Sequence, residues 1–407
     1  MSRRNLTNLE AQRSFGKRPF GLWIGLLAPL KSPLEVADIA RMTPEMDFVM
    51  VGWSYDKSIA DRLRMEKPAN LYYVGPVAND VKRELIQKCC VGLTTSKYEG
   101  FGLTPSEFLY AGKPVLAYPL DVFREVYGDL VIYANTIDDF VKQLRHICSR
   151  PSYVAVDIEV VARRLAKYDL TAASSRILQR LGTRSLLVFT QDVPMNRKDI
   201  AGYYLLQWRL WELMRENEAE LKIFANGQKY SREFHLADST IQVGSLVEYL
   251  RCHMEARDYS PRFLDRVERK ILDLSIRILE PLSYVHRYTA RRRDIPSTVI
   301  IATGCGQILG GIIVKYLFGL KLVCLVHDMR LNRYEWARSS FPMKIYNLAY
   351  THALLHADLI MLVSDTMRRE FLNYYPYHDD RLMVIWNDDA PRPNWDKKPN
   401  CQECNRS

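Results

Sequence analysis

The chain has 407 residues, enough for two domains of ordinary size. Hydrophobic residues make up 48% and charged residues 26%, the balance of a globular fold rather than a fibrous or disordered one. The formal net charge of +10 favours an anionic partner, yet there is no block of like charges, zinc-ligand pattern or aromatic–basic repeat, which argues against nucleic acid.

In chain order, Ser2-Arg3-Arg4-Asn5 is polar and basic, without an apolar core of signal-peptide length. Strand-like apolar runs follow at 22–25, 48–52, 71–75, 91–95, 115–118 and 130–133. Helical patterns lie between most of them, at 33–42 behind a Ser32-x-x-Glu35 capping box, at 80–89, at 104–110 and briefly at 123–127. Strands alternating with helices predict a parallel sheet covered on both faces. The pattern then turns helical, through 137–147, 158–168 and 170–181.

A second unit begins with a buried-strand run at 185–189 after Gly182, which sets the boundary near residue 183. A helix over 204–214 carries Tyr204, Leu205, Trp208, Trp211, Leu213 and Met214 at helical spacing. Strands at 221–225 and near Ile241 precede a long helical region from 263 to about 292, with a bend expected at Pro281. Alternation returns at 298–302, 308–318, 322–327, 341–356, 359–363, 366–374 and 383–385. The apolar stretch 299–326 is interrupted by Lys315 and Lys321 and punctuated by Gly304, Gly306, Gly310 and Gly311, so it reads as strand, helix and strand rather than a membrane span. The expected architecture is α/β, two doubly wound Rossmann-like domains over 1–183 and 184–390, with ligands at the carboxyl ends of the strands. Residues 391–407 read as a disordered tail. Its Cys401-x-x-Cys404 pair lacks a second pair or nearby histidines for a metal. The eight cysteines are scattered, several within apolar patterns, which suits buried free thiols and a reducing compartment.

The most informative segment is 98–107, Tyr-Glu-Gly-Phe-Gly-Leu-Thr-Pro-Ser-Glu. It lies between a strand pattern and a helix pattern, and Gly100 and Gly102 let backbone approach a ligand closely. Thr104 can cap the helix and Pro105 suits its first position, so the helix start would offer N–H groups to an anion. Glu99 and Glu107 flank that anion site, where carboxylates are counterproductive unless they bind hydroxyl groups of a sugar or ribose. Thr104-x-x-Glu107 is also a capping box in its own right, so Glu107 serves either the helix end or a ligand.

These residues resemble the retaining glycosyltransferases of family 4, the group 1 nucleotide-sugar enzymes with the GT-B fold. Their signature is two glutamates separated by seven residues, the spacing of Glu99 and Glu107. Residues 25–31 resemble the glycine-to-lysine loop after the first donor-domain strand. Gly112-Lys113-Pro114-Val115 resembles a strand entry, and Arg124-Glu125-Val126 with Gly128-Asp129 the loop beyond it. The second half resembles the family's acceptor domain in Thr190-Gln191-Asp192-Val193-Pro194, Leu325-Val326-His327-Asp328, the Ala357-Asp358 to Val363-Ser364-Asp365 segment and Val384-Ile385-Trp386-Asn387. Trp386 stands where the family has proline. The donor domain thus comes first, the reverse of the usual order, which implies circular permutation or a fragment joining two tandem transferases.

The resemblance implies a nucleoside diphosphate sugar donor, retention of anomeric configuration, and neither metal nor cofactor. Lys31 would hold the departing diphosphate, with Gly25 at the loop start. The backbone of Gly100, Phe101, Gly102 and Leu103 would face phosphate and sugar. Glu107 would take the ribose hydroxyls, Glu99 would sit by the transferred sugar, and Val74, Gly75 and Pro76 would border the base. His327 would position the donor sugar or acceptor hydroxyl across the cleft, without being an obligatory general base. Leu26 replaces the family's diphosphate-binding arginine, a loss of about 1.5–3 kcal/mol if nothing compensates. Arg197 or Lys198 would supply that charge.

The implied function is transfer of a hexose to a glycan or lipid-linked acceptor. The Phe123-Arg124-Glu125-Val126 loop looks like that of polysaccharide mannosyltransferases and points to mannose. The expected location is cytoplasmic. The 204–214 helix and Arg291-Arg292-Arg293 would suit peripheral contact with an anionic bilayer at its inner face. A relative without turnover that binds nucleotide sugar or a partner transferase, for which Leu26 and the altered 196–202 loop argue, stays open, as does a fragment of a tandem enzyme.

Overall fold

The computed structural model describes residues 18–54, 57–149, 156–192, 202–226, 240–242, 263–294, 299–327, 329, 341–375 and 379–386. The chain forms two compact units that divide between Lys167 and Tyr168.

The first unit runs β1 (Phe20–Ile24), α1 (Pro33–Met42), β2 (Asp47–Val51), α2 (Lys57–Glu66), β3 (Leu71–Gly75), α3 (Asn79–Lys88), β4 (Val91–Thr94), α4 (Thr104–Tyr110), β5 (Val115–Ala117), α5 (Asp121–Val126), β6 (Ile132–Tyr133), α6 (Ile137–Ser149) and α7 (Ile158–Leu165). Its six-stranded sheet has the order β3-β2-β1-β4-β5-β6, and every pairing is parallel. β2, β4 and β5 are buried along their whole length, which is why they read as continuous apolar runs. One face is closed by α1 and α6, whose Val36, Ile39, Ala40, Phe140 and Leu144 pack with Trp23, Phe48 and Leu93.

Helix α2 has no counterpart in the sequence reading. Among its described side chains only Ile59, Ala60 and Leu63 are buried, a stripe too narrow to stand out among charged neighbours.

The second unit begins with α8 (Leu170–Leu181) and continues β7 (Ser185–Asp192), α9 (Gly202–Glu216), β8 (Glu220–Asn226), β9 (Thr240–Gln242), α10 (Phe263–Arg291), β10 (Val299–Ala302), α11 (Cys305–Phe318), β11 (Lys321–Val326), α12 (Phe341–Leu355), β12 (Leu359–Leu362), α13 (Asp365–Tyr374) and β13 (Leu382–Val384). The seven-stranded order β13-β12-β11-β10-β7-β8-β9, again all parallel, repeats the winding of the first sheet with one strand added at the far edge. Helix α10 runs through Pro281. Trp386 is buried, donates from Nε1 to the Val363 carbonyl at 2.8 Å, and meets the Tyr168 ring edge-on.

The sequence boundary near 183 follows the start of β7, whereas the compact units divide before α8. That helix is started by Asp169, which accepts from the N–H groups of Thr171 and Ala172, and ended by Gly182 in the left-handed region. It packs on α9, where Asn217 Nδ2 donates to Ser174 Oγ at 3.0 Å. The apolar stretch at 299–326 is β10, α11 and β11, largely buried within the second sheet's layers. No helix among the described residues is long and apolar enough to cross a membrane.

Candidate functional site

In an open doubly wound sheet, ligands bind where strand order reverses, beyond the carboxyl ends of the strands. In the first unit that point lies between β1 and β4. Three glycines close the ends of neighbouring strands there. Gly25 donates to the Val51 carbonyl at 3.0 Å, and Gly52 donates to the Gly75 carbonyl at 3.1 Å. Gly52, at φ +147°, lies so close to the next strand that a Cβ would stand 1.7 Å from the Gly25 oxygen. By contrast, a Cβ on Gly75 would meet nothing within 4 Å, so the space beside the end of β3 is open.

Beyond Gly25 the chain forms a short 3-10 turn, Pro29–Lys31, and then Ser32 at φ +43° leads into α1. This connection is tied to the one that follows β4. Trp23 Nε1 donates to Thr95 Oγ1 at 3.1 Å, the Thr95 hydroxyl donates to the Lys31 carbonyl at 2.7 Å, and the Lys97 N–H donates to the Leu30 carbonyl at 2.8 Å. The result brings Lys31 to Glu99. Their charged groups are bonded, and Ser96 Oγ donates to the same carboxylate oxygen at 2.8 Å. Both side chains remain partly accessible, Lys31 at 27% and Glu99 at 16%.

The loop between Glu99 and α4 is half-buried throughout and held from behind. Gly102 adopts φ +81°, its carbonyl accepts from the Tyr127 hydroxyl, and a Cβ there would lie 2.4 Å from the Phe123 ring. Glycine is thus required twice over, by backbone angle and by space.

Neither expected capping box forms. Ser32 occupies the position before α1, but its hydroxyl donates to the Pro29 carbonyl at 3.3 Å and caps nothing. Glu35 instead accepts from Tyr118 at 2.6 Å and pairs with Lys97 at 3.0 Å, and Lys97 also sits 3.4 Å over the Tyr118 ring. Burial and the adjoining Glu35 carboxylate push the Tyr118 hydroxyl above the usual phenol range. Thr104 is the first residue of α4 rather than its cap; Leu103 precedes it in near-helical geometry with no side-chain cap. Glu107 is consequently not held by the helix end. It reaches Lys82 of α3, Nζ to Oε1 at 2.8 Å.

In the second unit His327 follows β11 and is half-buried. Its Nε2 lies 2.7 Å from the side-chain amide nitrogen of Gln207 on α9, a residue only 1% exposed. The switch point of this sheet, between β7 and β10, differs in kind from that of the first. Gln307 Nε2 donates to Glu280 at 2.9 Å and to the Tyr284 hydroxyl at 3.2 Å, and Tyr284 donates to the Thr190 carbonyl. A Cβ on Gly306, in the first turn of α11, would stand 2.4 Å from a Glu280 oxygen. A carboxylate of the chain itself therefore lies against the amino end of that helix, where an anion would otherwise be favoured.

The structure thus brings Lys31 to Glu99, from which the loop 100–103 continues, and places Gly25, Gly75 and Glu107 in the same unit. Arg197 and Lys198 lie outside the described residues. Sequence reasoning did not single out Gly52, Lys82, Gln207 or Tyr127, whose roles depend on partners brought from other elements. No group of three or more His, Cys, Asp or Glu among the described residues could hold a metal ion.

Residues 7–157 match the family model Glycosyl transferases group 1. The match spans Lys31, Glu99 and Glu107 and leaves His327 outside it. No curated protein matches the chain. Among solved structures, the chain is similar to AviGT4, a glycosyltransferase involved in Avilamycin A biosynthesis, at 19% identity and a TM-score of 0.30 over 39% of this chain and 52% of that one. It is similar to Anabaena Alr3699/HepE in complex with UDP and glucose at 18% identity and 0.36, over 45% of this chain and 53% of that one. It therefore spans about half the length of these two. The catalytic domain of the cholesterol-alpha-glucosyltransferase from Helicobacter pylori is 11% identical, with a TM-score of 0.32 over 37% of this chain and 99% of that domain.

Proposed function

We propose that the chain is a retaining glycosyltransferase that needs no metal and takes a hexose from a nucleoside diphosphate sugar, with the first unit as donor domain. The observation that carries this reading is the pairing of Lys31 with Glu99 beside a glycine loop at the first sheet's switch point, inside the group 1 glycosyltransferase match. The occupied switch point of the second sheet supports the assignment of the nucleotide to the first unit.

On binding, the diphosphate takes Lys31 from Glu99, and Glu99 is released to accept from hydroxyls of the transferred sugar. The bond between the anomeric carbon and the phosphate oxygen breaks with its electron pair going to the diphosphate. The acceptor hydroxyl oxygen bonds that carbon on the same face, and its proton passes to the departing phosphate oxygen. Lys31 and the backbone of residues 100–103 stabilise the charge that develops there. Glu107 accepts from the ribose hydroxyls, and His327, oriented by Gln207, positions sugar or acceptor.

Mannose is the proposed hexose, from the 123–126 loop, and a glycan or lipid-linked hydroxyl the acceptor. Circular permutation is the proposed origin of the reversed order. The packing of α8 on α9 supports it, because the helix that closes a donor domain then already belongs to the acceptor unit. Cytoplasmic location and peripheral bilayer contact belong to the same proposal. Trp211, Leu213 and Met214 are buried, so the 204–214 helix turns these residues to the core and not to a bilayer; the proposed contact rests on Arg291–Arg293, with Ile345 and Leu348 of α12 also exposed.

The test is turnover of UDP-, GDP- and ADP-hexoses with mixed glycan and polyprenol-type acceptors, the product's anomeric configuration being read by NMR. Release of nucleoside diphosphate with a retained linkage is the expected result, and inversion would overturn the mechanism. A second reading, nucleotide-sugar binding without transfer, rests on Leu26 in the diphosphate loop. Binding with no turnover of any donor would favour it.

A further inference from the structure

The residues 25–30, where a second cation for a diphosphate would be expected, contain none; Lys31 is the only charged residue of that connection. A second lysine nevertheless reaches the same loop from another direction. Lys82 lies on α3, after the open end of β3 at Gly75, and its Nζ meets Glu107 Oε1 at 2.8 Å. Its neighbours at three and four residues' distance, Asn79, Leu85 and Ile86 of α3 and Ala78 just before it, include no acidic residue, so its pairing is set by the fold and not by the helix. Lys31, from the connection after β1, and Lys82, from the first half of α3, thus come from two different parts of the first unit, and each holds one of the two glutamates that bound residues 99–107.

The Lys82–Glu107 pair is partly open to solvent, at 24% and 35% exposure, and a pair so placed contributes little to stability. Its chemistry fits a ligand better. An ammonium carries three donors and a carboxylate several acceptor sites, so each partner can keep the other and still bind a third group. A ribose hydroxyl can donate to Glu107 while Lys82 donates to a neighbouring phosphate oxygen.

We propose that Lys82 is a second phosphate-binding residue of the nucleotide site, supplying from α3 the positive charge that Leu26 cannot. This inference rests on the donor-site reading above, and the two fail differently. The experiment is calorimetric binding of UDP, GDP and ADP, and of the matching nucleosides, to the full chain. For the nucleotide that binds, Lys82→Met is expected to weaken the diphosphate about tenfold, the effect of one charge-assisted contact, while leaving the nucleoside unchanged. Lys82→Arg should restore most of the loss. The double variant K82M/E107Q, which leaves no unpaired carboxylate, should melt within a degree or two of wild type and show that the fold is intact.

If Lys82→Met binds like wild type while Lys31→Met is weakened, the pair is only a brace between α3 and α4, and the proposal falls with the donor site intact. Equal weakening of nucleoside and diphosphate would also overturn it, since the lysine would then act through the fold. If the wild type binds no nucleoside diphosphate, this proposal and the donor reading fall together.

Discussion

Lys31 and Glu99 neutralise each other at the reversal point of the first sheet, with Ser96 bonded to the same carboxylate oxygen. A phosphate arriving there must compete with Glu99 for the ammonium. The two residues should therefore have opposite effects on binding. Lys31→Met is expected to weaken nucleoside diphosphate binding ten- to hundredfold, about 1.5–3 kcal/mol. Glu99→Gln removes the competitor and should bind the diphosphate as well or a few-fold better, while slowing sugar transfer. Calorimetry paired with a turnover assay separates the two, and weakening by Glu99→Gln would contradict the displacement.

Gln207 is nearly inaccessible and places its amide 2.7 Å from His327 Nε2. His327→Ala should lower turnover a hundredfold or more with little change in diphosphate affinity. Gln207→Leu should give a smaller loss, accompanied by a shift in the ring-nitrogen resonances of His327. An unchanged spectrum in that variant would mean that the amide does not orient the ring.

Two glycine substitutions test the loop geometry. Gly52→Ala would force a methyl group to 1.7 Å from the Gly25 oxygen, and failure to accumulate folded protein is expected. Gly102→Ala combines φ +81° with a 2.4 Å approach to Phe123. It should cost about 1–3 kcal/mol in backbone strain, seen as a lower melting temperature, and should weaken ligand binding by moving the loop. Wild-type melting in either variant would show that the backbone does not hold this conformation.

Alkaline pH should destabilise the protein. Burial pushes the Cys89 thiol from 9.0 up to about 12 and the Tyr133 hydroxyl from 10.0 up to about 12. Tyr118 and Cys324 are raised for the same reason. For each, the folded state keeps its proton longer than the unfolded state does. The stabilisation is thus complete below about pH 9 and is lost as pH rises toward 12. Thermal melts from pH 8 to 11 should show a continuous fall, and Cys89→Ala should flatten its early part between pH 9 and 10.

Much of the fold was legible because both sheets are parallel and buried on two faces, so their strands stand out as apolar runs separated by amphipathic helices. Helices 33–42, 104–110 and 170–181 begin and end where periodicity places them. What sequence alone could not supply was the choice of polar partner. Ser32-x-x-Glu35 and Thr104-x-x-Glu107 have the spacing of capping boxes, yet both glutamates are taken by lysines from other segments, Lys97 and Lys82. Local spacing describes the bonds a helix end can make by itself; it carries no information on a lysine delivered by another segment. Gln207 escaped notice likewise, because its role exists only once α9 brings it to His327, beyond the end of β11.

All strands of the first sheet come from residues 20–133, and all strands of the second from 185–384. No ladder of either sheet depends on which half leaves the ribosome first. A gene rearranged to translate 168–386 ahead of 18–167 could rebuild the same strand pairings, so strand pairing by itself imposes neither order.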